Sequence, residues 1–145
     1  MDHMNFEQAL ERIFSESTTT KQQGSAFERA TVYFLENDPL WSSRLDGVWL
    51  WGDAPTKTGQ DIGVDVVARD AEDGTYWAIQ CKCYAQDEKL TYQAVSTFFS
   101  TAAADGRYGH YMVVDTANSW TANLKKVARQ HNAVRLGGDN LEEAG

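Results

Sequence analysis

Two apolar stretches joined by a short acidic turn constrain this chain more than any other feature. Ile62 to Ala68 (IGVDVVA) and Thr75 to Cys83 (TYWAIQCKC) are rich in β-branched and aromatic residues. Asp70 to Gly74 (DAEDG), between them, tolerates the backbone angles of a tight hairpin. Side chains alternate along a strand, so Asp61, Gly63, Asp65 and Val67 share one face of the first strand. Tyr76, Ala78, Gln80 and Lys82 share a face of the second. Paired as a hairpin, the strands bring Asp65 to the same sheet face as Gln80 and Lys82. Their flanks, VDVV and WAIQC, are apolar enough for sheet interior, where a charge is costly unless it is paired or binds a metal.

A carboxylate, an amide and an ammonium in one place suit metal-assisted phosphodiester hydrolysis. Mg²⁺ prefers oxygen ligands and keeps several waters, so one or two carboxylates and a main-chain carbonyl suffice. The ion stabilises charge on the phosphate and lowers the pKa of a bound water. In this scheme Asp65 binds the metal and Gln80 adds a neutral oxygen or a hydrogen bond. The carbonyl of Cys81 is a further ligand. Lys82 orients the water or stabilises developing negative charge. Asp61 lies on the same face nearer the loop, either as an auxiliary ligand or as a strand cap.

The rest of the chain supplies helices and further strands. Asn5 to Ser15 sets Phe6, Leu10, Ile13 and Phe14 on one helical face. Ser17 to Gly24 reads as a linker turn. Ser25-Ala-Phe-Glu28 is a capping-box pattern opening a helix with Phe27, Ala30 and Phe34 on its apolar side. That helix ends near Asn37-Asp38-Pro39, because proline disfavours helical conformation in the residue before it. Gly47 to Trp51 is a strand, followed by the loop Gly52 to Gln60. A helix from Thr91 to Ala103 carries Val95, Phe98, Phe99 and Ala102 at helical spacing. His110 to Val114 forms a fourth strand, Ser119 caps a helix running to His131, and Ala133 to Leu136 is a last short strand. The order α-α-β-β-β-α-β-α-β predicts an α/β (α+β) fold, a mixed sheet flanked by helices. The expected organisation is a helix and linker over 1–24, a core over 25–136 and a frayed tail over 137–145.

With 145 residues the chain fits one hydrophobic core. No apolar run approaches the roughly 20 residues of a membrane span, and the N-terminus lacks a signal-like sequence. Cys81 and Cys83 are the only cysteines and lie two apart on one strand face. They cannot bridge each other, and His3, His110 and His131 are scattered, which argues against a Cys/His metal site. A reduced, cytoplasmic setting fits. The net charge of −8 conflicts with a free-standing nucleic-acid binder, because phosphate affinity comes largely from Lys and Arg. Either the chain has no nucleic-acid role, or its carboxylates hold metal while other domains hold the DNA.

Asp65, followed 15 residues later by Gln80-Cys81-Lys82, resembles the PD-(D/E)xK nucleases, specifically their Mrr-like branch, where glutamine often replaces the acid of the ExK element. A wider series in the same order is similar to the N-terminal nuclease domain of type ISP restriction-modification enzymes and related helicase-like proteins. It comprises GSAFER, DPLWSSRLDGVWLW, TGQDIGVDVVAR, YWAIQCK, VSTFF and MVVDTANSW. The triplet alone is common; the ordered series is specific. Val64 stands where the literal motif has proline.

The resemblance implies a restriction-endonuclease-like αβββαβ core and a double-stranded DNA endonuclease using Mg²⁺, with Mn²⁺ as substitute. It also implies helicase/translocase and methyltransferase domains in a longer chain, ATP-driven translocation, and a second nuclease domain where both strands are cut. Family members often carry a metal-assisting acid on the first core helix, where Glu28 falls. Glu28 thus has two open readings, that role and the capping box. Two rival functions stay open beside the nuclease: a catalytically silent DNA-end-binding or protein-interaction module, and a stand-alone repair or junction nuclease.

Overall fold

The computed structural model describes residues 12, 15, 16, 19–58, 63–83, 89–117 and 119–137. The helix expected over 5–15 lies outside them except for Arg12 and Ser15, which are helical. Asp61 and the tail beyond Gly137 also lie outside.

The elements follow one another as α1 (Thr20–Asn37), α2 (Pro39–Arg44), β1 (Leu45–Leu50), β2 (Val66–Asp70), β3 (Tyr76–Lys82), β4 (Lys89–Leu90), α3 (Tyr92–Ala104), β5 (Tyr108–Asp115), β6 (Ser119–Trp120), α4 (Ala122–Gln130) and β7 (Val134–Gly137). Five strands form one sheet in the order β1-β2-β3-β5-β7. The hairpin pairs β2 with β3 antiparallel, with Val66 opposite Ile79 and Val67 opposite Ala78. On the other side β3 pairs parallel with β5, and β5 parallel with β7. β3 is therefore the seam between an antiparallel and a parallel half. Parallel strands need a crossover, and α3 and α4 supply the two. A parallel ribbon of β4 and β6 stands beside the main sheet.

Both faces of the sheet are covered, which is why its inner strands read as continuous apolar runs rather than alternating ones. On one face Val67, Ala78 and Val113 pack with Val95, Phe98 and Phe99 of α3 and with Leu124 and Ala128 of α4. On the other, Val66, Ile79, Met112 and Val114 pack with Phe27, Phe34 and Leu35 of α1 and with Trp41 of α2. Each fully buried Val, Ile, Leu or Phe contributes about 1.5–3 kcal/mol relative to exposure.

Three local expectations are corrected. α1 begins at Thr20, with the Thr19 hydroxyl accepting from the Gln22 N–H at 3.1 Å. The stretch from Thr20 to Gly24 is thus helical rather than a turn, and Ser25 lies inside the helix instead of capping it. The cap at the second late helix moves as well. Ser119 belongs to β6, and the Thr121 hydroxyl accepts from the Leu124 N–H at 3.4 Å to start α4. The short α2 was not anticipated: Asp38 caps it by accepting from the Leu40 and Trp41 N–H groups, both at 3.1 Å, with Pro39 in its first turn. β1 and β2 also run shifted from their expected limits, so that Gly63 and Asp65 lie before β2 rather than within it, but the hairpin and its turn stand as read. No helix among the described residues is long and apolar enough to cross a membrane.

Candidate active site

Asp65 sits one residue before β2, and the ladder still holds it. Its N–H donates to the Ile79 carbonyl at 2.9 Å, and its carbonyl accepts from the Trp51 N–H at 3.0 Å. The paired ladder ends at Val66 opposite Ile79, and Asp65, with its N–H on β3 and its carbonyl on the β1 side, leaves the regular strand at this point. Alternation from Ala78, which faces α3 and α4, places Gln80 and Lys82 of β3 on that same face. Gly63, with φ of 80°, turns the chain just before this point, in the left-handed region that glycine adopts without strain.

The side chain of Asp65 then replaces a backbone partner. Its Oδ2 accepts the Cys81 N–H at 2.8 Å, a charge-assisted bond that orients the carboxylate over the end of β3. A strand residue sends its N–H and C=O to the same side, so the Cys81 carbonyl also leaves β3 toward Asp65. Gln80 is 7% exposed, and its Oε1 is buried with no hydrogen-bond partner. Lys82, half-buried, ends β3 beside Asp115 of β5. Its carbonyl accepts the Thr116 N–H at 3.1 Å, and its side chain forms no salt bridge among the described residues.

Glu28 reaches the neighbourhood from the opposite face. One turn further along α1, Thr31 lies with its hydroxyl 3.6 Å from the Cys81 sulfur, so α1 crosses β3 at this residue. The Cys81 thiol is pushed well above its ordinary pKa, first by burial, then by the negative charge of Asp65; Glu28 adds to the same effect. Two carboxylates thus act on one point of β3. Because Ser25 is helical, the capping-box account of Glu28 no longer applies.

Sequence reading missed a second polar cluster at the same end of the sheet. Asp115, fully buried, accepts from Arg135 Nε at 3.1 Å and Nη2 at 3.0 Å, from Trp120 Nε1 at 2.9 Å and from the Ala117 N–H at 3.1 Å. Arg135 also lies over the Trp120 ring, 5.1 Å from its centroid. The available signal was a lone acid closing the apolar run MVV and a lone arginine inside AVRL. Nothing local said that they meet.

A third cluster lies at the turn end of the hairpin. Ligand atoms of Asp70, Asp73 and His110 come within 4.8 Å of one another. At about 3.3 Å per residue, Asp70 stands roughly 16 Å along the strand from Asp65. Its oxygens are already engaged: Oδ1 accepts from Trp77 Nε1 at 3.1 Å, and Oδ2 from the Glu72 and Asp73 N–H groups at 3.1 and 3.0 Å. Burial raises the Asp70 pKa, but these bonds outweigh it and the net shift is downward. Asp73 is lowered to about 2 by its bonds to the Thr75 hydroxyl and N–H, then by His110. Such carboxylates are committed to fixing the turn. The site at Asp65 differs: it offers a buried oxygen that the protein itself leaves unmatched, as an oxygen-seeking cation requires.

The chain matches the family model for restriction endonuclease (Mrr_cat_2) over residues 36–145. Among solved structures it is similar to the "ATP-dependent Type ISP restriction-modification enzyme LlaBIII bound to DNA", with a TM-score of 0.74 and 24% identity. That likeness covers 96% of this chain and 8% of the other, so the chain spans a small part of that enzyme's length. A weaker likeness, TM-score 0.46 at 18% identity, is to the "Protein of Unknown Function AF1548", covering 57% of this chain and 44% of that one. No curated protein matches the sequence.

Proposed function

The chain belongs to the restriction endonuclease family, and from that premise we propose that it is a DNA endonuclease module whose active centre is Asp65, Gln80 and Lys82 with one divalent metal. The observation that carries this reading is the buried, unmatched Oε1 of Gln80, the residue next to Cys81, whose N–H the Asp65 carboxylate accepts. Asp65, Gln80 and the Cys81 carbonyl would hold Mg²⁺, or Mn²⁺ in its place, and Glu28 would add charge from behind the strand. Asp61 is a further candidate ligand. Bound there, the metal would supply Lewis-acid stabilisation of the phosphate and an acidified water.

The chain's own residues do the rest. Asp65, oriented by the Cys81 N–H, fixes the direction from which its other ligands converge. Lys82 follows two residues after Gln80 on the same face, where its ammonium meets a phosphate oxygen or the attacking water. The packed sheet keeps these groups in one geometry, which is worth orders of magnitude in rate when reacting atoms must align.

The charge of −8 fits a module that does not hold DNA by itself. We assign duplex positioning to other parts of a longer, ATP-dependent protein with translocase and methyltransferase domains. A second copy of the nuclease would cut the opposite strand. The similar structure, an ATP-dependent enzyme bound to DNA, supports this setting.

The test is plasmid cleavage by the full-length protein, comparing wild type with Asp65→Ala and Lys82→Ala, in Mg²⁺ and in EDTA. The expected outcome is a loss of about 100-fold or more in each variant, with no cleavage in EDTA. Cleavage surviving both substitutions would overturn the assignment. A wild-type protein that binds DNA but never cuts would favour the silent module instead.

A further inference from the structure

The Asp115–Arg135 pair has no part in the chemistry just described, yet it stands beside it. Lys82 and Asp115 are register partners on β3 and β5, whose backbones lie about 4.8 Å apart. Two residues earlier on each strand, Gln80 and Val113 are also partners, and Val113 faces α3 and α4. Lys82 and Asp115 therefore share that face as neighbours. A fully buried carboxylate beside a lysine would ordinarily capture it, because an unpaired buried charge is costly. Here it does not. Arg135, from the next strand, takes both carboxylate oxygens in a bidentate grip. Trp120 Nε1 and the Ala117 N–H occupy the remaining acceptor directions.

We propose that Arg135 is a positioning residue that saturates Asp115 and so keeps the Lys82 ammonium available for phosphate. The inference rests on the nuclease reading for its consequence, though not for its geometry. Arginine suits the task better than lysine, since its planar fork matches a carboxylate with two bonds and its charge persists at any working pH. It also donates to the Ala117 carbonyl at 3.1 Å, fixing the turn whose Thr116 N–H holds the Lys82 backbone. Side chain and main chain of Lys82 are thus both set from the strand beyond.

The decisive comparison is Arg135→Gln against the double variant Asp115→Asn/Arg135→Gln, with lysine side-chain NMR on the 145-residue chain and plasmid cleavage by the full-length protein. In Arg135→Gln, Lys82 should turn to Asp115, its ammonium protons exchanging more slowly with water. Cleavage should fall by about 100-fold, the usual cost of misplacing one catalytic group. Removing the carboxylate as well should release Lys82 and restore most of the lost activity, although the double variant lacks more contacts. A merely structural pair would do the reverse, the double variant being as impaired as the single or worse. Should Arg135→Gln fail to fold, Arg135→Lys carries the test, because a retained cation must leave Lys82 free. An unchanged Lys82 signal in Arg135→Gln, or capture of Lys82 in Arg135→Lys, would overturn the proposal. Capture of Lys82 with cleavage intact would uphold the shielding and overturn the part assigned to Lys82 in the reaction.

Discussion

Replacing Gln80 with methionine should make the metal-free protein more stable and the metal-bound protein relatively weaker. Methionine is unbranched and flexible enough to fill the glutamine's place, so the substitution chiefly deletes the amide. Gln80 Oε1 is buried with no partner, and an unmatched buried acceptor costs about 1–3 kcal/mol. For 145 residues the unfolding entropy is about 0.3 kcal/mol/K, so the variant should melt about 3–10 °C higher in EDTA. Manganese should then separate the two proteins in the opposite sense. At 100 times its Kd the ion stabilises wild type by about 2.7 kcal/mol, or roughly 9 °C. A variant binding tenfold more weakly gains about 1.4 kcal/mol, roughly 5 °C, at the same concentration. Differential scanning fluorimetry in EDTA and in MnCl₂ reads both shifts. A variant that melts lower in EDTA, or that keeps the full manganese shift, would refute the claim that this oxygen is reserved for a cation.

Asp73 carries a pH prediction with a definite sign. Its folded pKa is lowered from 3.8 to about 2, so it stabilises the fold above 3.8 and loses that contribution as pH falls toward 2. Asp73→Asn should flatten the acid limb of the stability curve in that window, measured by circular dichroism; an unchanged limb would contradict it. Burial raises both Cys81 and Cys83, leaving little thiolate at neutral pH. Iodoacetamide should label them slowly in the native chain and rapidly in guanidinium, and prompt native labelling of Cys81 would count against this packing. A methyl group on Gly137 would meet the Asp115 carbonyl oxygen at 2.6 Å. Gly137→Ala should therefore cost about 1–3 kcal/mol, read as a lower Tm and a weakened Arg135–Asp115 pair.

The parts legible in the sequence were those whose signal is local or periodic. The hairpin was readable because DAEDG interrupts two strand-like runs, and the shared face of Gln80 and Lys82 then follows from a period of two. The α3 helix was readable from Val95, Phe98, Phe99 and Ala102, all of which are buried. What stayed hidden depends on tertiary partners. Ser17, Thr19 and Ser25 are all plausible caps by residue type, and α1 took Thr19. Ser119 lost its cap because Trp120 turns inward to donate to Asp115, pulling residues 119–120 into a strand beside β4. Arg135 and Asp115 lie 20 residues apart with no pattern linking them, and only the parallel pairing of β5 with β7 brings them together.

The seam position of β3 has one more consequence, in how the chain breathes. An interior strand bonded on both sides exposes its amides only when the whole sheet opens, whereas edges and turns open locally at small cost. The amides of Ile79 and Gln80 should be among the last to exchange with deuterated solvent, far behind those of the edge strand β1. Of the groups assigned to the reaction, Gln80 and Lys82 ride on β3. Warming should then leave the arrangement of Asp65, Gln80 and Lys82 intact up to the cooperative transition, with catalysis and fold lost together.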